Sequence, residues 1–216
     1  MLFNISIFFI ICAILYLVLE IRRYYKQHLY LSIHQIEYLN KNTFDELVYS
    51  QLPVIIRKMD EQLPLLYTNK NAMNDIVSTC SYLKTLHSIL SFDHTLSTSQ
   101  EFDGIYTSLK DRTIIGQLEG ETTLKLFSPS QKPFLYTNKK HSIHEEFLYS
   151  SEKEMLEKKK EYPLFNKSKY IEIKLNKGNF IVIPYMWSFS LQTNNNDTII
   201  TSSNTIVSKL LQWISV

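Results

Sequence analysis

The stretch from Leu2 to Leu19 restricts this chain more than any other part of it: eighteen residues in which only Asn4, Ser6 and the amphipathic Tyr16 are notably polar. A helix of that length reaches roughly 27 Å at about 1.5 Å per residue, close to the hydrocarbon thickness of a bilayer. A helix that is apolar all round has no wet face to turn outward, which argues against an ordinary amphipathic core helix. A cleaved secretory leader also matches poorly. Such a leader wants a basic start, and Met1-Leu2-Phe3-Asn4 offers only the amino terminus; it wants small residues before the cut, and Leu15-Tyr16-Leu17-Val18-Leu19 is bulky. Residues 1–22 are therefore expected to be a transmembrane anchor, with residues 2–19 in the membrane. Arg22, Arg23 and Lys26 follow the span and no basic side chain precedes it. The positive-inside tendency then puts the C-terminal domain of a single-pass protein on the cytoplasmic side, with Tyr24 and Tyr25 at the interface.

The rest of the chain is electrically balanced. Residues 1–26 hold three of the 23 basic and one of the 21 acidic side chains, which leaves 20 of each over the other 190 residues. With no net charge and no basic stripe, that part is a poor match for phosphate-driven binding, and no nucleic-acid partner is expected. Cys12 lies in the apolar run and Cys80 far from it, so no disulfide framework is expected. The wealth of Lys, Asn, Ile and Tyr fits an AT-rich genome, such as that of a large DNA virus or a protist.

Residues 23–42 read as a juxtamembrane helix or stalk, with apolar positions at Leu29, Ile33, Ile36 and Leu39 and a break at Asn40-Lys41-Asn42. Thr43 with Glu46 three residues on has capping-box form, and a short helix to about Tyr49 leads into the β-rich run Leu52–Ile56. Helices are expected around Asn71–Cys80 and Tyr82–Leu90, and a loop at Ser97–Gln100. From residue 112 the pattern turns to β: Thr113–Leu118, Thr122–Phe127, Tyr170–Leu175, Phe180–Pro184 and Thr198–Ser202 are short runs rich in Ile, Val, Thr and aromatics. Tyr170–Leu175 alternates polar and apolar, so one of its faces is expected to be wet. Asn176-Lys177-Gly178-Asn179 is a turn, and Gly178 is expected at positive φ. Glu145–Glu161 reads as a charged, solvated helix. The whole is mainly β with flanking helices (α+β), and many short strands between turns suggest a sandwich or barrel over residues 43–216.

Three stretches, in order, resemble the cupin-like (JmjC-type) hydroxylase family. The first is Phe44-Asp45-Glu46-Leu47 followed by Leu52-Pro53-Val54-Ile55-Ile56. The second is Gly116-Gln117-Leu118-Glu119-Gly120, then Leu126-Phe127-Ser128-Pro129 and Leu135-Tyr136. The third is Tyr162-Pro163-Leu164-Phe165, then Leu175 through Ile183-Pro184-Tyr185-Met186-Trp187. The resemblance implies a double-stranded β-helix (cupin or jelly-roll-like) with helices on its N-terminal side.

It also implies a metal centre whose residues have changed. Enzymes of that family hold Fe(II) with two His and one carboxylate, leaving positions open for 2-oxoglutarate and O₂. The His-x-Asp pair aligns with Thr107-Ser108-Leu109, the distal His with Phe189, and the lysine that anchors the oxoglutarate carboxylate with Thr122. Tyr106, Thr107, Trp187 and Phe189 are then expected as pocket walls. No catalytic residue, metal ligand or cofactor is expected. The implied function is a membrane-held, non-catalytic scaffold or binding module with a protein partner, a pseudoenzyme of the 2-oxoglutarate oxygenase type. The alternative is a divergent Fe(II)/2-oxoglutarate hydroxylase with relocated ligands. The sequence offers it His141, His144 and Glu146, where His at i and i+3 can share a helix face.

Overall fold

The computed structural model describes residues 2–24, 31–38, 46–47, 50–62, 91–98, 102–137, 139–140, 147–193, 198–205, 207–209 and 211. Its strands are β1 (His34–Ile36), β2 (Val54–Ile56), β3 (Ser91–Thr98), β4 (Ile105–Ser108), β5 (Arg112–Gln117), β6 (Glu121–Phe127), β7 (Lys139–Lys140), β8 (Phe147–Ser150), β9 (Ile171–Asn176), β10 (Phe180–Pro184), β11 (Ser188–Thr193) and β12 (Thr198–Thr205). They form two six-stranded sheets, ordered β1-β2-β10-β5-β12-β3 and β7-β8-β4-β11-β6-β9. Along β3, β4, β5, β6, β9, β10, β11 and β12, each strand lies in the sheet opposite to its predecessor, except that β9 stays with β6. This alternation winds the chain into a double-stranded β-helix, as expected.

Local pattern explains which strand goes where. In β9 the side chains of Ile173 and Leu175 are buried while Glu172 and Lys174 are exposed, the wet face that its alternation predicts. Phe180-Ile181-Val182-Ile183-Pro184 is apolar throughout, which suits a strand covered on both faces. β10 indeed lies between β2 and β5 and is buried at every position. Ile181 and Ile183 join the core between the sheets, whereas Phe180 and Val182 pack outward on Val54, Ile56 and Met59. Phe180 faces Gly116 across the ladder, and a Cβ at Gly116 would meet the Phe180 ring at 2.5 Å. Gly178 turns the chain into β10 at φ 80°, and its N–H donates to the Gln117 carbonyl at 3.0 Å. The outer face of the second sheet is covered by the insertion after β6. It contains two short helices, Lys132–Leu135 and Glu152–Glu157, and Leu135, Met155 and Phe165 pack there on Ile105 and Phe127.

Several expectations change. His34–Ile36 is not helix or stalk but a strand, paired parallel with β2 at the sheet edge. Ser97 and Thr98 end β3 rather than lying in a loop. The charged stretch 145–161 divides: Phe147–Ser150 is a strand against β4, and helix is confined to Glu152–Glu157, capped where Ser151 Oγ accepts from the Glu154 N–H at 3.2 Å. The buried Phe147 and Leu148 supply the reason, since a solvated helix leaves no place for them. The helices expected at Asn71–Cys80 and Tyr82–Leu90, and the cap Thr43, lie outside the described residues.

Helix α1 runs from Leu2 to Tyr24. Among the described residues no helix is both long and apolar enough to cross a membrane. The last turns of α1 meet the barrel, where Leu17 and Ile21 pack against a cluster of Leu109, Leu148, Tyr185, Val207 and Leu211.

Candidate functional site: the interior of the barrel at its turn end

β4 ends and β11 begins at the same end of the barrel. The β10–β11 turn is fixed there to β4, as the Met186 N–H donates to the Ser108 carbonyl at 2.7 Å and the Ser108 N–H to the Trp187 carbonyl at 2.9 Å. The antiparallel register sets Ser188 opposite Thr107 and Phe189 opposite Tyr106. Opposed residues of such a pair share a face, and neighbours along a strand point to opposite faces. Tyr106 and Phe189 therefore point together into the core between the sheets. Their rings stack with centroids 6.1 Å apart, and Phe102 and Phe147 close round Phe189 at 5.7 and 6.0 Å. Thr107 and Ser188 point the other way, their hydroxyl oxygens 2.6 Å apart, and Thr107 Oγ1 also donates to Thr137 Oγ1 at 3.2 Å.

Of the positions picked from the sequence, Tyr106, Trp187 and Phe189 share the inner core, while Thr107, Leu109 and Thr122 lie apart from them. Thr107 lies behind the sheet from Phe189. Leu109 has left the strand for the cluster beneath α1. Trp187 is buried in the inner core, and its Nε1–H donates to the Gln51 carbonyl at 3.2 Å, which fastens the entry to β2 onto the barrel. Thr122 faces inward at the other end, four residues and about 13 Å of strand from Leu126, the partner of Phe189. There Thr122 Oγ1 meets Thr198 Oγ1 at 2.8 Å, and Thr198 Oγ1 donates to Gln117 Oε1 at 2.7 Å. His141, His144 and Glu146 lie outside the described residues.

The inward set at the turn end is Tyr106, Ser108 and Phe189, one residue out of frame with the sequence count on β4. Ser108 Oγ lies 2.8 Å from Thr113 Oγ1, and both side chains are fully buried. A facial triad needs two imidazoles and a carboxylate converging on one point. A phenyl ring cannot coordinate, and a serine hydroxyl is a weak neutral donor. The Tyr106 phenol donates to Asp103 Oδ1 at 3.0 Å. Burial first, and then the Asp103 hydrogen bond, push its pKa above the ordinary phenol value and keep the proton on. These side chains do not fit the iron centre that the fold implies. Among the described residues no three His, Cys, Asp or Glu come together elsewhere.

One feature was missed in the sequence. Lys110, Asp111 and Arg112, three consecutive charged residues, are all buried, with Arg112 Nε 3.3 Å from Asp111 Oδ2. Desolvated charges persist only when paired and hydrogen-bonded, and the signal available beforehand was that this turn joins two core strands.

Fold and interior define the class: a double-stranded β-helix whose turn end is filled by aromatic side chains. The sequence profile of the cupin-like domain family matches residues 93–206, and the chain belongs to that family. No curated protein matches it. Among solved structures it is similar to acireductone dioxygenase from Bacillus anthracis with cadmium ion in its active center, at 6% identity and a TM-score of 0.37, over 77% of this chain and 85% of that one. It is also similar to hydroquinone 1,2-dioxygenase from Sphingomonas sp. TTNP3 with 4-hydroxybenzoate bound, at 9% identity and a TM-score of 0.32, over 52% of this chain and 59% of that one.

Proposed function

We propose that this cupin-like domain is a membrane-attached binding or scaffold module that carries out no oxygenase chemistry. The observation behind the reading is the aromatic filling of the turn end, where Tyr106 and Phe189 stack between Phe102 and Phe147 in place of two imidazoles and a carboxylate. Replacing such a packed layer by a hydrated metal and a keto acid would expose apolar surface worth about 2 kcal/mol or more per aromatic side chain. At the opposite end Thr122 hydrogen-bonds within the barrel and has no cation with which to hold a carboxylate. The occupant proposed for such a module is a protein partner.

Attachment to the membrane rests on the apolar run 2–19 and on what α1 leaves uncovered. Ile10, Ile11, Ile14, Leu15, Val18 and Leu19 are each more than half exposed. Six large aliphatic side chains on one helix form the kind of patch that soluble monomers do not leave in water. Arg22 and Arg23 then favour a cytoplasmic barrel. The full-length chain is expected to stay with membranes through alkali extraction; release into the soluble fraction would end this part of the proposal. The non-catalytic part is tested by calorimetric titration with Mn(II) and 2-oxoglutarate. No saturable heat is expected, whereas a micromolar response abolished by His144→Ala would favour the hydroxylase with relocated ligands.

A further inference from the structure

We propose that the turn end of the barrel lies against the bilayer surface, because the last turns of α1 belong at once to the span and to the barrel's packing. The inference rests on the membrane reading above and specifies which surface of the domain meets lipid. Leu17 and Ile21, four residues apart and so on one face of the helix, pack with Leu109, Tyr185, Val207 and Leu211. Those four come from the β4–β5 turn, the β10–β11 turn and the C-terminal segment, all at one end of the barrel. Leu17 is within the apolar run and Ile21 just beyond it. The barrel therefore grips the helix at the level where the hydrocarbon ends, and a domain held there cannot swing as on a stalk. The segment that follows is itself brought back into the barrel as β1, which shortens the connection further. The opposite end, with the turns at Gly120 and Gly178, lies a full strand away, about 16 Å for the five residues of β10.

The test uses the full chain with Cys12→Ser and Cys80→Ser, carrying one fluorophore-labelled cysteine at a time, in vesicles of phosphatidylcholine and phosphatidylserine with a headgroup-proximal spin-labelled lipid as quencher. Labels at Ile7→Cys, within the span, and at Met186→Cys, on the β10–β11 turn, are expected to lose fluorescence. A label at Glu119→Cys, on the β5–β6 turn, is expected to keep it. Lys209→Cys, beside Val207, repeats the turn-end measurement should Met186→Cys not fold. Quenching at Ile7 with equal signals at 186, 209 and 119 would overturn the fixed orientation while leaving the anchor in place. A label at Ile7 that is not quenched would remove the membrane reading and this inference with it. Ile21→Asp, which puts a charge into the shared cluster, is expected to abolish the difference between positions 186 and 119 while Ile7 stays quenched.

Discussion

On the inner face of the β4–β11 ladder Tyr106 and Phe189 stack within an aromatic cluster; on the outer face, one residue along each strand, Thr107 and Ser188 share a hydrogen bond of 2.6 Å. Both layers are buried, but they hold the ladder by different physics. Inside, stability comes from apolar area removed from water and grows with the size of the side chain. Outside, it comes from hydroxyls that satisfy each other, where a net gain of about 1 kcal/mol turns into a larger cost if one partner is left alone. A facial metal site needs imidazoles and a carboxylate on the interior face, and here that face offers the Tyr106 phenol, the Phe189 ring and the Ser108 hydroxyl.

The largest expected effect is on the inner face. Phe189→Ala is expected to cost about 3–5 kcal/mol, the range for deleting a buried aromatic, read as a lower urea midpoint. A loss under about 1 kcal/mol would mean that the ring is not part of a packed layer. Away from the ladder, Gly178→Val is expected to cost about 1–3 kcal/mol, because φ 80° strains any β-branched side chain. Unchanged thermal stability would show that the turn has another conformation. On the outer face, Thr107→Val is expected to cost about 1–3 kcal/mol by removing the partner of Ser188, Ser188→Ala less because Thr107 keeps its bond to Thr137, and the double variant less than the two losses added. Simple additivity would dissolve the contrast between the faces.

The smallest effect is the pH dependence of Tyr106. Its pKa is raised in the folded state by burial and then by Asp103, so the folded state holds the proton more tightly than the unfolded one. The stability this confers is complete below the unfolded phenol value of about 10 and is lost as the pH rises above it. Tyr106→Phe is expected to flatten part of the fall in urea midpoint between about pH 9 and 11. An identical fall in both proteins would place the phenol in water.

The sequence disclosed strands best where burial was simplest. Phe180–Pro184 could be read to the residue because β10 is covered on both faces, and β9 to within one residue because its alternation is clean. β8 was hidden by the acidic residues before it and the charged helix after it, so that only Phe147 and Leu148 hinted at a core. β11 was obscured because Ser188-Phe189-Ser190 was read as a motif with its ligand missing rather than as an alternating strand. The fold as a whole was legible through three ordered stretches. The site was legible only to within one residue, since counting back from Gly116 to Thr107 passes through the buried turn Lys110-Asp111-Arg112. In a strand, an error of one residue moves every side chain to the other face.

That frame can be tested by building the metal site twice. One variant carries Tyr106→His, Ser108→Asp and Phe189→His on the inward positions; the other carries Thr107→His, Leu109→Asp and Phe189→His, following the sequence count. Mn(II) titration by calorimetry is expected to be flat for the natural chain and for the second variant, and saturable only for the first, which sets two imidazoles and a carboxylate on one face of the ladder. Saturable binding by the second variant, or by the natural chain, would contradict the account.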